Sequence, residues 1–152
     1  MEIICVHEKE DRFEEFVHSF WEPWGNDTNW MFYQDCMSHS ATSSGDLPSF
    51  YIAIEDEKTI GTYALLRNDL VSRQDLSPWL ACLYVDPAFR GKSIGSRLLA
   101  HARREARQKG YDRLYLTTDH NRYYEKYGWT KIGTCYDLFG NPSSIYQIST
   151  TA

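Results

Sequence analysis

Phe13, Phe16, Val17 and Phe20 recur at spacings of three and four, which puts them on one face of a helix, with Asp11 placed to cap its start. Trp21 to Asp27, which contains Pro23 and Gly25, is predicted to break that helix. A second helical stretch runs from Trp30 to His39, before a polar loop over Ser40–Ser49. Elsewhere the apolar residues come in short runs rich in β-branched and aromatic side chains, the mark of strands. Ile3–Val6 is the first; Phe50–Ile54 and Thr59–Leu66 flank the charged turn Glu55-Asp56-Glu57-Lys58 and read as a hairpin. Asn68–Pro78 is polar and carries no motif. Ala81–Val85, the end of a Trp79–Val85 strand, is a nearly continuous apolar run, which predicts burial on both faces, and Asp86-Pro87 stops it.

From Ile94 the period becomes helical again, through Leu98, Ala102 and Ala106 with Leu99 beside them, and the helix is expected to end at Gly110. Arg113–Thr118 reads as a strand, parallel to Ala81–Val85 because a helix connects them. Asn121–Tyr127 reads as a short helix. Strands over Trp129–Tyr136 and Ser144–Ser149 are joined by the turn Phe139-Gly140-Asn141-Pro142. The resulting order is β-α-α-β-β-β-α-β-α-β-β.

Arg90-Gly91-Lys92-Ser93-Ile94-Gly95 lies between a strand and a helix N-terminus, where unpaired backbone N–H groups gather, so this turn is a candidate phosphate site. A Walker A loop is excluded because its first glycine would fall on Asp86. A dinucleotide fingerprint is excluded because only Gly91 and Gly95 are available. What fits is Gln/Arg-x-x-Gly-x-Gly/Ala, preceded by a strand ending in Val85-Asp86-Pro87 and followed by Tyr124-Glu125-Lys126-Tyr127-Gly128-Trp129. Over roughly Leu80 to Trp129 the chain thereby resembles the GNAT superfamily of acyl-CoA-dependent N-acetyltransferases. One residue departs from the pattern: Ser93 stands where the family has its middle glycine.

The resemblance implies an α/β fold of the mixed α+β kind, a mostly antiparallel central sheet with helices on both faces. It also implies acetyl-CoA as cosubstrate, no metal, and transfer of an acetyl group to a primary amine of a small molecule or peptide within a ternary complex. The backbone of Leu83, Tyr84 and Val85 would hold the pantetheine arm, with Leu83 polarising the thioester carbonyl. Arg90, Gly91, Lys92, Ser93, Ile94, Gly95 and Ser96 would surround the pyrophosphate, and Asn121 would bond the pantetheine. Tyr124 would protonate the departing thiolate. Some members place a glutamate six residues before the strand-ending valine, where this chain has Trp79. Asp119 and His120 are the candidate bases, with a helix cap or a structural hydrogen bond as the alternative reading of each and a water chain ending at backbone carbonyls as a further route. A different class, a non-catalytic acyl-CoA-binding or regulatory module, is motivated by Ser93 and by the missing carboxylate at Trp79.

The 152 residues fit one domain over 1–152. Charge is partitioned: Arg90 to Arg113 carries eight Lys/Arg against two Asp/Glu, so with −5 overall the remainder sums to −11. A basic loop and helix suit a phosphate-rich cofactor, and an acidic remainder suits a cationic amine. Arg103, Arg104 and Arg107 are read mainly as residues that keep the helix solvated. Trp21, Trp24 and Trp30, with Glu22 and Asp27, form a candidate acceptor wall through cation–π and charge attraction, with simple packing as the alternative. Met1–Glu8 is neither a signal peptide nor a membrane span, and Cys5, Cys36, Cys82 and Cys135 are scattered, so reduced thiols and a cytoplasmic location are expected. No nucleic-acid or membrane partner is expected, and the expected assembly is a monomer or homodimer.

Overall fold

The computed structural model describes residues 1–120 and 122–151. Its strands are β1 (Glu2–Cys5), β2 (Ser49–Glu55), β3 (Lys58–Leu66), β4 (Trp79–Val85), β5 (Arg113–Thr118), β6 (Thr130–Tyr136) and β7 (Pro142–Ser149), and its helices are α1 (Phe13–Trp24), α2 (Trp30–Ser38) and α3 (Ile94–Gln108). All seven strands form one sheet in the order β1-β2-β3-β4-β5-β7-β6. The pairings are antiparallel except between β4 and β5, the crossover pair joined through α3.

β2 shows why the apolar runs are unbroken. Phe50, Ile52 and Ile54 pack with Phe16, Val17 and Phe20 of α1 and Met37 of α2, whereas Tyr51 and Ala53 turn to the opposite face and join Leu98, Leu99, Ala102 and Ala106 of α3. Alternate residues of one strand thus feed two cores, and both faces of the sheet are covered. The β2–β3 turn holds Asp56 and Glu57 at φ 51° and 66°, the left-handed pair that a two-residue hairpin loop requires.

Several expectations are corrected. Asp11 does not cap α1: it lies in the 3-10 turn Glu10–Arg12, and Arg12 precedes the helix. The predicted break at Trp21 comes later, because Pro23 is accommodated in the last turn and α1 runs to Trp24. It stops where the Trp21 indole lies against Gly25 so closely that no Cβ fits there. Ala81–Val85 is half-buried on account of the cleft described below; only Trp79 and Leu80 of β4 are buried. The predicted helix over Asn121–Tyr127 is a single 3-10 turn at Tyr124–Tyr127, and Asn121 lies outside the described residues.

The basic face of α3 is more than solvation. Arg103 donates to the carbonyls of Ser149 (2.6 Å) and Thr151 (2.7 Å), and Lys109 to those of Ser43 (3.2 Å) and Gly45 (2.5 Å), tying the chain's last strand and the 40–48 loop to the helix. The four cysteines are free thiols. Among the described residues no helix is long and apolar enough to cross a membrane.

Candidate active site

The site begins with a fault in β4. Along the β3–β4 ladder Thr62 opposes Tyr84 and Ala64 opposes Ala81, so Cys82 and Leu83 together oppose Tyr63. This is a β-bulge, with Cys82 in the left-handed region at φ 56° and its carbonyl accepting a 2.8 Å hydrogen bond from the Thr62 hydroxyl. On the other side β4 meets β5 only at Trp79↔Tyr115. Beyond that pair the strands fork, and the backbone edge of Leu83–Val85 borders the opening.

The loop after β4 continues this edge. Asp86 accepts from the Ala88 amide (2.9 Å), and the Arg90 Nε donates to the Val85 carbonyl (3.0 Å) with its guanidinium 5.5 Å over the Tyr84 ring. Gly91 at φ 81° and Ser93 at φ 63° are both left-handed. The serine at the family's glycine position therefore adopts the glycine-like conformation, at a cost of about 1 kcal/mol. The amides of Gly91 to Ser96 find no backbone acceptor among the described residues, and the first α3 bond runs from Arg97 to the Ser93 carbonyl. Six amides at a helix N-terminus make a nest that accepts a phosphate. The Ser96 hydroxyl is engaged with the Ser93 carbonyl at 2.9 Å, so Ser96 offers its amide. The Lys92 ammonium stands 5.3 Å over the ring of Phe89, and Lys92 is not among the residues that line the cleft.

Two arms meet in the fork. The larger, about 700 Å³, runs from Leu83–Val85 along the loop to Ser96, with Tyr123, Tyr124 and Tyr127 opposite. The smaller, about 320 Å³, is lined by Tyr33, Asp69, Cys82 and the floor residues Leu80 and Leu116. Trp24, Leu83 and Tyr124 border both arms.

Tyr124 is held by its own turn. Gly128 at φ 92° reverses the chain, the Trp129 amide reaches the Tyr124 carbonyl (3.2 Å), and the Trp129 ring packs edge-on at 6.2 Å from Tyr124. The Tyr-x-x-x-Gly-Trp spacing is the sequence of this clamp. Burial, and then the neighbouring Tyr123, push the Tyr124 phenol up to about 12, so it keeps its proton at neutral pH.

The other predicted residues are distributed unevenly. His120 lines the larger arm and is exposed, whereas Asp119 is exposed and does not line the cleft. Of the predicted acceptor wall only Trp24 reaches the fork, 5.8 Å from Tyr84. Trp21 and Trp30 pack edge-on against each other at 5.5 Å, and the Trp21 indole donates to Asn26 and Asn29, so these two close the α1–α2 corner. Glu22 borders a separate cavity with Asp86 and pairs with His18 at 3.4 Å, and Asp27 is exposed in the turn. Tyr33, Asp69 and Cys82 were not singled out by sequence, since their approach depends on the bulge and on the course of a loop without a motif. Among the described residues no cluster of metal-ligating side chains occurs.

The model of the Acetyltransferase (GNAT) domain matches residues 46–131, more than half of the chain. A curated acetyltransferase of Agrobacterium fabrum (strain C58) is 44% identical over 59 residues, which span 37% of this chain and 43% of that relative's length. An aminoglycoside 6′-N-acetyltransferase solved with coenzyme A superposes over 100% of this chain and 98% of its own, with a TM-score of 0.72 and 15% identity. A GNAT-family acetyltransferase from Staphylococcus aureus Mu50 superposes over 99% of both chains, with a TM-score of 0.66 and 19% identity. These two share the fold, including its mixed, mostly antiparallel sheet.

Proposed function

This chain is a member of the GNAT acetyltransferase family, and from that premise we propose that it transfers the acetyl group of acetyl-CoA directly to a primary amine of a small molecule or peptide within a ternary complex. The reading takes residues 1–152 as one catalytic domain. The observation that carries it is the fork, where a strand edge left unpaired by β5, its Val85 carbonyl bonded by Arg90, leads into six free amides and a protonated phenol stands at the junction. An extended pantetheine lies along Leu83–Val85 as an added strand. Its pyrophosphate rests on the nest of Gly91 to Ser96, with Arg90 alongside.

In this reading the amine nitrogen attacks the thioester carbonyl carbon, whose oxygen takes charge and is stabilised by the Leu83 N–H. Collapse forms the amide and breaks the C–S bond. Tyr124 protonates the thiolate as it leaves, and the nitrogen loses its proton to a base. Direct attack is favoured over an acyl-cysteine. Cys82 is the thiol bordering the smaller arm, and burial, followed by the Asp69 charge, pushes it up to about 12, so it is a poor nucleophile at neutral pH.

Thiol release from acetyl-CoA, measured with purified protein and a panel of polyamines, aminoglycosides, aralkyl amines and peptide amino termini, tests the proposal. Amine-dependent release is expected. Tight CoA binding with no release across the panel would favour a non-catalytic acyl-CoA-binding module instead.

A further inference from the structure

The smaller arm has a chemical character of its own. Its walls are the rings of Trp24, Tyr33 and Tyr124 and its floor is aliphatic, and Asp69 is the carboxylate among its lining residues. Among the described residues no lysine, arginine or histidine lines it. Asp69 is half-buried, and among the described residues no cation lies within ion-pairing distance of it. Its Oδ1 accepts the Leu70 amide at 2.8 Å.

The loop that presents Asp69 is braced. Gln74 Nε2 donates to the carbonyls of Asp69 (2.9 Å) and Val71 (2.7 Å), and Asn68 donates to the Gln74 carbonyl (3.2 Å). Ser72 fastens the loop to β6 through its amide on the Tyr136 carbonyl (2.9 Å) and its hydroxyl under the Tyr136 amide (3.0 Å). A carboxylate held without a counter-ion, among aromatic rings and at one end of a reaction cleft, is a site awaiting a cation.

We propose that Asp69 anchors the ammonium group of the acceptor in the smaller arm and takes its proton before attack, which restricts the acceptor to small primary amines on an apolar or aromatic chain without an adjacent carboxylate. The restriction follows from the lining. A carboxylate beside the amine, as in an amino acid, meets Asp69 and finds no cation to hold it. Two protons leave the nitrogen, the first to Asp69 and on to solvent before attack and the second by the same path as the amide forms, while the thiolate takes the Tyr124 proton and the phenol regains one from solvent, so the net step releases one proton. The ionisable groups facing Asp69 are Tyr33 of α2, Cys82 of β4 and Tyr124 across the fork, with Cys135 of β6 behind it; all are neutral at pH 7. Burial holds the Asp69 carboxyl above the usual carboxylate range, against the opposing Leu70 hydrogen bond, which moves it in the direction a base needs.

The role as base rests on the acetyl-transfer reading; the role as anchor does not. Tyramine is the probe and tyrosine its carboxylated control, each titrated calorimetrically into the CoA-saturated protein and each assayed with acetyl-CoA. Wild type is expected to bind tyramine. Asp69→Asn is expected to weaken that binding about 10- to 100-fold, with CoA affinity unchanged as the check on folding, and Asp69→Glu to recover part of it. Tyrosine is expected to bind wild type more weakly than tyramine. The acidic limb of kcat/KM for tyramine is expected to vanish in Asp69→Asn. Equal tyramine affinity in wild type and Asp69→Asn, or no tyramine binding by wild type, overturns the anchor. Turnover with an unchanged acidic limb in Asp69→Asn overturns the base and leaves acetyl transfer standing. Tyramine binding that depends on Asp69 but yields no turnover supports the anchor and counts against acetyl transfer to this amine.

Discussion

Leu83 of β4 and Tyr124 of the turn before Gly128 both border the larger and the smaller arm of the cleft, so the peptide that would polarise a thioester and the phenol that would protonate its sulfur share one junction. The Tyr124 ring is packed, 4.9 Å from Tyr123 and 5.9 Å from Tyr146. Tyr124→Phe keeps that packing and removes only the proton. The expected outcome is a kcat lowered about 100-fold, the low end for a general acid because a thiolate leaves readily, with acetyl-CoA Kd unchanged. Steady-state kinetics and calorimetry check it. Wild-type turnover in the variant would reduce Tyr124 to packing. Since the protonated phenol is the active form and burial pushes it up to about 12, no activity loss through Tyr124 is expected below pH ~10.

The loop makes a second prediction. Ser93 sits at φ 63°, so Ser93→Gly relieves a left-handed cost of about 1 kcal/mol, offset in part by glycine's greater entropy in the unfolded chain. CoA affinity is expected to be unchanged or tighter. Gly95 is the opposite case: a Cβ there meets the Tyr123 hydroxyl at 3.1 Å, and a glutamate adds a negative charge beside the nest. Gly95→Glu is expected to abolish measurable CoA binding in calorimetry. Unchanged affinity would place the cofactor elsewhere.

Much of this was legible in the sequence because it is local. The helical spacing of Phe13 to Phe20, the Asp56–Glu57 hairpin turn and the strand, loop and Tyr124 segments each depend on neighbours a few residues apart. The cleft is not local. Its opening depends on the pairing of Thr62 with Tyr84 and Ala64 with Ala81, a register that an apolar run such as Ala81–Val85 does not encode. For the same reason that run was expected to be buried on both faces and is half-buried instead. Asp69 was invisible because nothing near Asn68–Pro78 marks it. Trp21, Trp24 and Trp30 were indistinguishable by composition; in the fold Trp21 and Trp30 pack on each other, and Trp24 is the one at the cleft.

Gly128 carries the third prediction. Its Cβ position has room, with Ile148 Cδ1 at an ordinary 3.6 Å, so the demand for glycine comes from φ 92° alone. Gly128→Ala is expected to destabilise by about 1 kcal/mol, which for a chain of this size lowers Tm by about 2–4 °C. The turn also orients Tyr124, so kcat is expected to fall further than the stability loss requires, with CoA affinity little changed. Thermal unfolding and kinetics on the same preparation separate the two effects, and a loss of Tm without a loss of kcat would detach the turn from the chemistry.

A polar cluster beneath α3 contributes to the pH dependence of stability. Tyr63 and Tyr51 stack at 4.7 Å, the Tyr63 hydroxyl meets His101 Nδ1 at 2.5 Å, and the Tyr51 hydroxyl donates to Glu105 at 3.0 Å. Burial lowers His101 below the usual imidazole range and raises both phenols. In the folded chain His101 is therefore neutral at pH 7, sharing a hydrogen bond with the Tyr63 hydroxyl. The imidazole's contribution is complete above its unfolded value near 6.5 and is lost as pH falls through the lower folded value. The phenols' contribution is complete below their unfolded value near 10 and is lost as pH rises beyond it. The cluster's own contribution is thus flat from about pH 6.5 to about pH 10, and the thiols of Cys5, Cys36, Cys82 and Cys135, all raised by burial, bring the onset of the overall alkaline fall to about pH 8.5. Urea midpoints across pH check it. Tyr63→Phe removes one raised phenol and leaves the His101 Nδ1 without its hydrogen-bond partner, so its midpoint is expected to be lower near neutral pH and to fall less steeply above pH ~10. An alkaline fall as steep as that of the wild type would take Tyr63 out of the linkage.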